Sequence, residues 1–290
     1  MSPKNRTVRV APFAAEVASS FVVCAALALL DVQAELLRFL PWDIFGVVYD
    51  PQLAFLTVLF INLAVLFAPT YEGLSGGAYN NPSVYFVRYA VGDVGAVATI
   101  RGAVASTLGH VLAFAALARA VTVYPGYFPG KTPIVPVVPA GTMRQAALAE
   151  AAVSASNFIF AGLAPTMFPA AIVPAIGSAF YVGTAIVEGC KYSCGYMNPA
   201  TVIASHVVAG DFTSPEAVRA MAPYALGSAL AVIVVWFVSK FVVGEPKSAK
   251  KAKAQGKAAA RAVSAARDRA AKVTNVKAKK IAKKKTQKVA

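Results

Sequence analysis

The chain has 290 residues, 58% hydrophobic and 14% charged, with a mean hydropathy of +0.60; its apolar stretches are too many and too long for one soluble core, which points to a polytopic membrane protein. A formal charge of +15 suggests a nucleic-acid binder until it is divided at Val243, where residues 1–243 carry 12 Lys/Arg against 11 Asp/Glu and residues 244–290 carry 16 against 2. The basicity belongs to the tail, so no specific nucleic-acid partner is expected, and three cysteines, Cys24, Cys190 and Cys194, supply neither a disulfide framework nor a metal-ligand set.

The first apolar run, 12–30, follows the cations Lys4, Arg6 and Arg9. It lacks a small-residue cleavage site and is long enough to cross a bilayer, so it is expected to remain as a span. Further runs lie near 51–69, 96–120, 142–163, 170–188 and 217–243. Six spans put both termini on one side, and the positive-inside rule makes that side the cytosol; the segment 31–50, assigned to the far side, leans acidic. Between the third and fourth runs, Pro125, Pro129, Pro133, Pro136 and Pro139 predict a stiff extracytoplasmic loop. Residues 247–290 alternate Ala with Lys or Arg and hold no aromatic residue. Such a segment cannot build a core and is expected to be a disordered tail able to dock on anionic lipid.

Two dipeptides interrupt this pattern, Asn81-Pro82-Ser83 and Asn198-Pro199-Ala200. Asn is a strong N-cap residue and Pro fits the first helical position, where its missing N–H would have no intrahelical partner. Each dipeptide therefore predicts a helix start. The runs behind them, 83–91 and 200–209, rise only about 15 Å against a hydrocarbon core of about 30 Å, so they predict half-helices that meet in the middle of the bilayer.

The chain also repeats itself. Ala15-Glu16-Val17-Ala18-Ser19-Ser20 opens the first run and Ala149-Glu150-Ala151-Ala152-Val153-Ser154 opens the fourth, each with Glu four residues before Ser. Each Glu precedes an Asn-Pro dipeptide, so the chain reads as two repeats, about 11–120 and 142–243. Three spans per repeat would insert the second upside down. A carboxylate in a span costs about 2.5–3.5 kcal/mol on insertion scales, so Glu16 and Glu150 each need a partner.

Twin Asn-Pro boxes, a Glu on the first helix of each half, and six spans together resemble the aquaporin or major intrinsic protein family over residues 11–243. The stretches Gly76-Gly77-Ala78-Tyr79-Asn80-Asn81-Pro82-Ser83 and Tyr196-Met197-Asn198-Pro199-Ala200, with the lysine-rich tail, are most similar to its small basic intrinsic and superaquaporin-like branches. Pro223-Tyr224-Ala225-Leu226-Gly227-Ser228 is similar to the family's sixth helix. The resemblance implies an all-α membrane protein with six transmembrane helices and two re-entrant half-helices, assembled as a homotetramer. It implies a passive channel for water and other small neutral solutes, such as glycerol or hydrogen peroxide, that needs no cofactor. Asn81 and Asn198 would each donate an amide N–H to a passing water, while the electropositive helix tips resist protons. Glu16 and Glu150 would brace the two loops.

One departure affects selectivity. Where the family commonly carries Arg after the second box, this chain has Thr201. By the family's spacing the constriction would be lined by Ile61, Ile186, Gly195 and Thr201, without a fixed cation, which opens it to solutes other than water. His110, Asp93 and Arg101 are expected to pack or snorkel, His206 to pack, and Cys194 to neighbour the constriction. Ser83 is expected to alter packing between the boxes. The resemblance implies an endoplasmic reticulum location, although Gln287-Lys288-Val289-Ala290 is not a dilysine signal, and the plasma membrane stays open. No nucleophile set, phosphate loop or metal-ligand spacing supports catalysis. The alternative reading is a non-conducting scaffold whose tail binds anionic lipid, RNA or an acidic protein. Deleting 247–290 separates the two in vesicle swelling and pull-down assays: a channel keeps its water permeability, whereas a scaffold loses its partners.

Overall fold

The computed structural model describes residues 10–40, 48–128, 138–167, 172–189, 191–193 and 195–243. The basic tail, the N-terminal cations, most of the proline-rich loop, Cys190 and Cys194 lie outside the described residues. The described residues up to Ser239 belong to one compact unit. Among the described residues every regular element is helical and there is no strand.

The helices follow the apolar runs closely. They are α1 (Phe13–Ala28), α2 (Leu30–Leu36), α3 (Pro51–Phe67), α4 (Pro69–Leu74), α5 (Pro82–Ala90), α6 (Ala96–Val123), α7 (Met143–Met167), α8 (Ile172–Gly189), α9 (Pro199–Ala209) and α10 (Pro215–Phe237). Local chemistry sets several ends. Asp50 caps α3 by accepting the Leu53 N–H, and Ser214 caps α10 by accepting that of Ala217, each just before a proline. Gly210, at φ +80°, closes α9 in the left-handed conformation that glycine adopts without a steric penalty.

Beyond α1 the helix continues as α2 and a short turn, Leu37–Phe39, bent by 59° from α1. Such a bend frees backbone carbonyls. The Gln33 side chain takes the Ala26 carbonyl at 2.6 Å, and so the break strands no acceptor there.

Packing treats the two halves of the sequence alike. In the first half α1 packs on α6 and on α3; in the second α7 packs on α10 and on α8. The short helices α5 and α9 each lie against both α6 and α10, and α3 meets α8. Exchanging the halves maps this set of pairings onto itself, as two copies of one unit would.

Among the described residues two helices, Ala96–Val123 and Pro215–Phe241, are long and apolar enough to cross a membrane, and the bent pair Phe13–Ala28 with Leu30–Phe39 makes a third if counted as one span. Large apolar side chains such as Val22, Val104, Phe180 and Ile233 face outward, whereas the interior is rich in Ala and Ser and contains buried Glu16, His110 and Glu150. Large apolar groups outside and small or polar groups inside are compatible with a lipid-facing surface. Small residues let the helices approach closely: a Cβ on Gly109 would lie 2.5 Å from the Val17 carbonyl, and one on Gly227 would lie 2.9 Å from that of Ala147. Gly227→Ala should therefore destabilise the protein by about 1–3 kcal/mol, as overpacking does. A lowered thermal midpoint by circular dichroism, with Gly126→Ala unchanged because nothing lies within 4 Å of its added Cβ, checks this.

Candidate functional site

The Asn-Pro dipeptides start α5 and α9, and each asparagine caps its own helix. Asn81 Oδ1 accepts the Ser83 N–H at 2.9 Å, and Asn198 Oδ1 accepts that of Ala200 at 3.1 Å. With the oxygens fixed, the amide nitrogens point across to the opposite turn. Asn81 Nδ2 donates to the Met197 carbonyl at 2.8 Å, and Asn198 Nδ2 donates to the Asn80 carbonyl at 2.9 Å. The two helix tips are thus joined by a reciprocal pair of hydrogen bonds between residues more than a hundred positions apart.

Each turn is held from behind by a buried carboxyl. Glu16 accepts the backbone N–H groups of Tyr79 and Asn80 at 3.0 and 2.8 Å, and Glu150 accepts those of Tyr196 and Met197 at 3.0 and 2.8 Å. In both halves the donors are the two residues before the asparagine. To present those N–H groups to the carboxyl and a carbonyl to the other half, the chain takes a positive φ at Asn80 (56°) and Met197 (51°). A non-glycine residue there costs on the order of 1–3 kcal/mol, which the paired carboxyl bonds offset. Glu16 and Glu150, the two residues expected to brace the loops, thus each accept a pair of backbone N–H groups from one turn.

Several members of the site carried no sequence signal of their own. Tyr85 donates its hydroxyl to Glu16, and its ring fills the space left by Gly102. Tyr224 donates to the Ser193 carbonyl at 2.9 Å, while the Ser193 side chain bonds to Glu150. Both tyrosine rings meet a turn tyrosine edge to face, Tyr85 with Tyr79 and Tyr224 with Tyr196. A further spacing repeats in the sequence of the two halves: Arg88 pairs with Asp93 at 2.8 Å, and His206 Nδ1 lies 3.0 Å from Asp211. In each half a basic residue in the last turn of the short helix meets an aspartate five residues on. Asp93 is therefore an ion-pair partner at the end of α5, and Arg101 donates to the Ala11 carbonyl at 3.3 Å.

His110, expected to pack or snorkel, is buried with both ring nitrogens bonded inside the protein, Nδ1 to the Ser106 carbonyl and Nε2 to Asn198. It is 1% exposed, and its Nε2 stands 3.1 Å from Asn198 Nδ2. Both N–H groups of Asn198 are consequently engaged, one by the Asn80 carbonyl and one by His110, whereas among the described residues Asn81 commits one, to the Met197 carbonyl. Both asparagines remain partly accessible, whereas Ser83 is buried with no hydrogen-bond partner for its hydroxyl.

The residues expected at the constriction divide. Gly195 has φ +56° and packs so closely on α8 that a Cβ would lie 3.1 Å from both the Ala185 carbonyl and Ile186 Cα. Glycine is favoured there on both counts, and Gly195 and Ile186 are neighbours. Thr201 is partly buried in the first turn of α9. Ile61 is 53% exposed, more open than the other three.

Among the described residues no group of three or more His, Cys, Asp or Glu is arranged to hold a metal ion. Comparison with protein-family models and with curated proteins finds no match to the chain. Chemically, the arrangement provides two electropositive helix tips and, among the described residues, one disengaged amide donor, at Asn81, within a largely apolar bundle. Glu16→Gln sets an N–H₂ group against the donors that now converge on the carboxyl, at about 1–3 kcal/mol for each one left unpaired. It should lower the thermal midpoint more than Gly227→Ala does, as calorimetry of the purified protein will read.

Proposed function

We propose that the chain is a passive channel for water and other small neutral solutes, of the aquaporin or major intrinsic protein kind that its sequence resembles. In this reading α1, α3, α6, α7, α8 and α10 are six membrane crossings, and α5 and α9 are half-crossings that enter from opposite leaflets. The observation that carries it is the reciprocal bonding of Asn81 and Asn198 across the two helix tips at 2.8 and 2.9 Å. A helix of 9 or 11 residues rises only about 14–17 Å, half a hydrocarbon core, so two joined by their N-termini account for one crossing between them. The exchange of packing partners between the halves supports an inverted repeat.

Each helix N-terminus carries roughly +0.5 of an elementary charge, so the joined tips repel cations, protons included. A neutral molecule feels no such barrier and gains a hydrogen bond from the Asn81 amide. A lining of Ile61, Ile186, Gly195 and Thr201 adds no fixed cation, and so glycerol and hydrogen peroxide join water as candidate solutes. Both termini lie in the cytosol, four copies assemble by analogy with the family, and the host membrane is the endoplasmic reticulum or plasma membrane.

Asn81→Asp tests the reading. The aspartate keeps an oxygen for the Ser83 cap but replaces both N–H donors with an acceptor that faces the Met197 carbonyl. Osmotic swelling of vesicles should slow roughly tenfold, corresponding to about 1.4 kcal/mol. Unchanged swelling in a folded variant would mean that no permeation route passes this box.

A further inference from the structure

The two helix tips share their caps and their bond to the opposite turn, but an imidazole stands beside the asparagine of the second, Asn198. Because Oδ1 of each asparagine is fixed on its own helix, neither amide can flip without setting N–H₂ against a backbone N–H. So oriented, Asn198 has two N–H groups and two acceptors, the Asn80 carbonyl at 2.9 Å and His110 Nε2 at 3.1 Å. An imidazole nitrogen accepts only through a lone pair, so the ring proton must sit on Nδ1. That nitrogen has its own acceptor, the Ser106 carbonyl at 2.9 Å. Both ring nitrogens are satisfied inside the protein. Asn81 commits one N–H to Met197, and among the described residues nothing accepts the other.

We infer that His110 is a positioning residue that sets the number of donors at the meeting point of the helices, by holding the second N–H of Asn198 away from the permeant. The inference rests on the channel reading above. A passing oxygen then meets one amide donor in place of two. Where the lining is apolar and carries no cation, donors govern how readily water enters, so His110 limits water permeation. Because the ring is 1% exposed, it acts through Asn198 and not as part of the wall. Removing its acceptor should release the second donor without reshaping the passage.

Two variants and one spectrum test this. His110→Phe keeps a planar ring without an acceptor, and His110→Gln keeps an acceptor. In stopped-flow swelling of vesicles, His110→Phe should raise water permeability per protein about two- to tenfold, the equivalent of one net hydrogen bond, and His110→Gln should stay near the unsubstituted protein. The chain has only 2 histidines, so ¹⁵N-histidine labelling gives two imidazoles, assigned with His206→Gln. His110 should show the Nδ1–H tautomer. An Nε2–H tautomer overturns the inference whether or not the protein conducts. Conduction by the unsubstituted protein with no rise in His110→Phe, or an equal rise in both variants, overturns it while the channel reading stands. Swelling at the lipid-only rate for the unsubstituted protein and both variants removes the channel reading and this inference with it.

Discussion

Two helix N-termini placed tip to tip in a low-dielectric interior repel each other, and the whole arrangement depends on what holds them there. Each tip carries partial positive charge and N–H groups that no intrahelical carbonyl can take. The asparagines answer both problems with one side chain: the oxygen caps its own helix and the nitrogen bonds a carbonyl of the other. Glu16 and Glu150 then take the backbone N–H groups just before each tip. Without those carboxyls, the left-handed backbone at Asn80 and Met197 would have little to offset its strain.

The bundle is built to let these groups meet. Helices α6 and α10 each touch both short helices, and small residues such as Gly102, Gly109 and Gly227 bring backbones and rings together at distances that no side chain permits. Where lipid rather than water surrounds a bundle, apolar side chains gain little by turning inward, and close packing with internal hydrogen bonds must hold the helices together. The interior reflects that balance, with Ala and Ser around a few fully buried polar groups and the bulky residues outside.

The halves share a plan without being copies. Tyr85 reaches Glu16 directly, whereas Tyr224 works through Ser193; an Arg–Asp pair ends one short helix and a His–Asp pair the other. His110 sits against one box, and among the described residues Asn81 has no matching contact. In the proposed channel, this asymmetry separates an asparagine that serves structure from one that serves the permeant.

Features governed by near neighbours could be read from the chain. Asn before Pro predicted the short helices over 83–91 and 200–209, and they form at Pro82–Ala90 and Pro199–Ala209, because capping and proline stereochemistry act within one turn. Glu16 and Glu150 were found through their repetition and their need for a partner in an apolar run. The bend after α1, the tyrosine props, the contact between Gly195 and Ile186, and above all the meeting of His110 with Asn198 were settled by tertiary structure. The tyrosine props and the His110–Asn198 contact join residues whose separation in sequence carries no periodic signal. Helix positions thus follow from local sequence, while the partners of each buried polar group are fixed only when the helices pack, since a hydrogen bond needs its two ends within about 3 Å whatever lies between them along the chain.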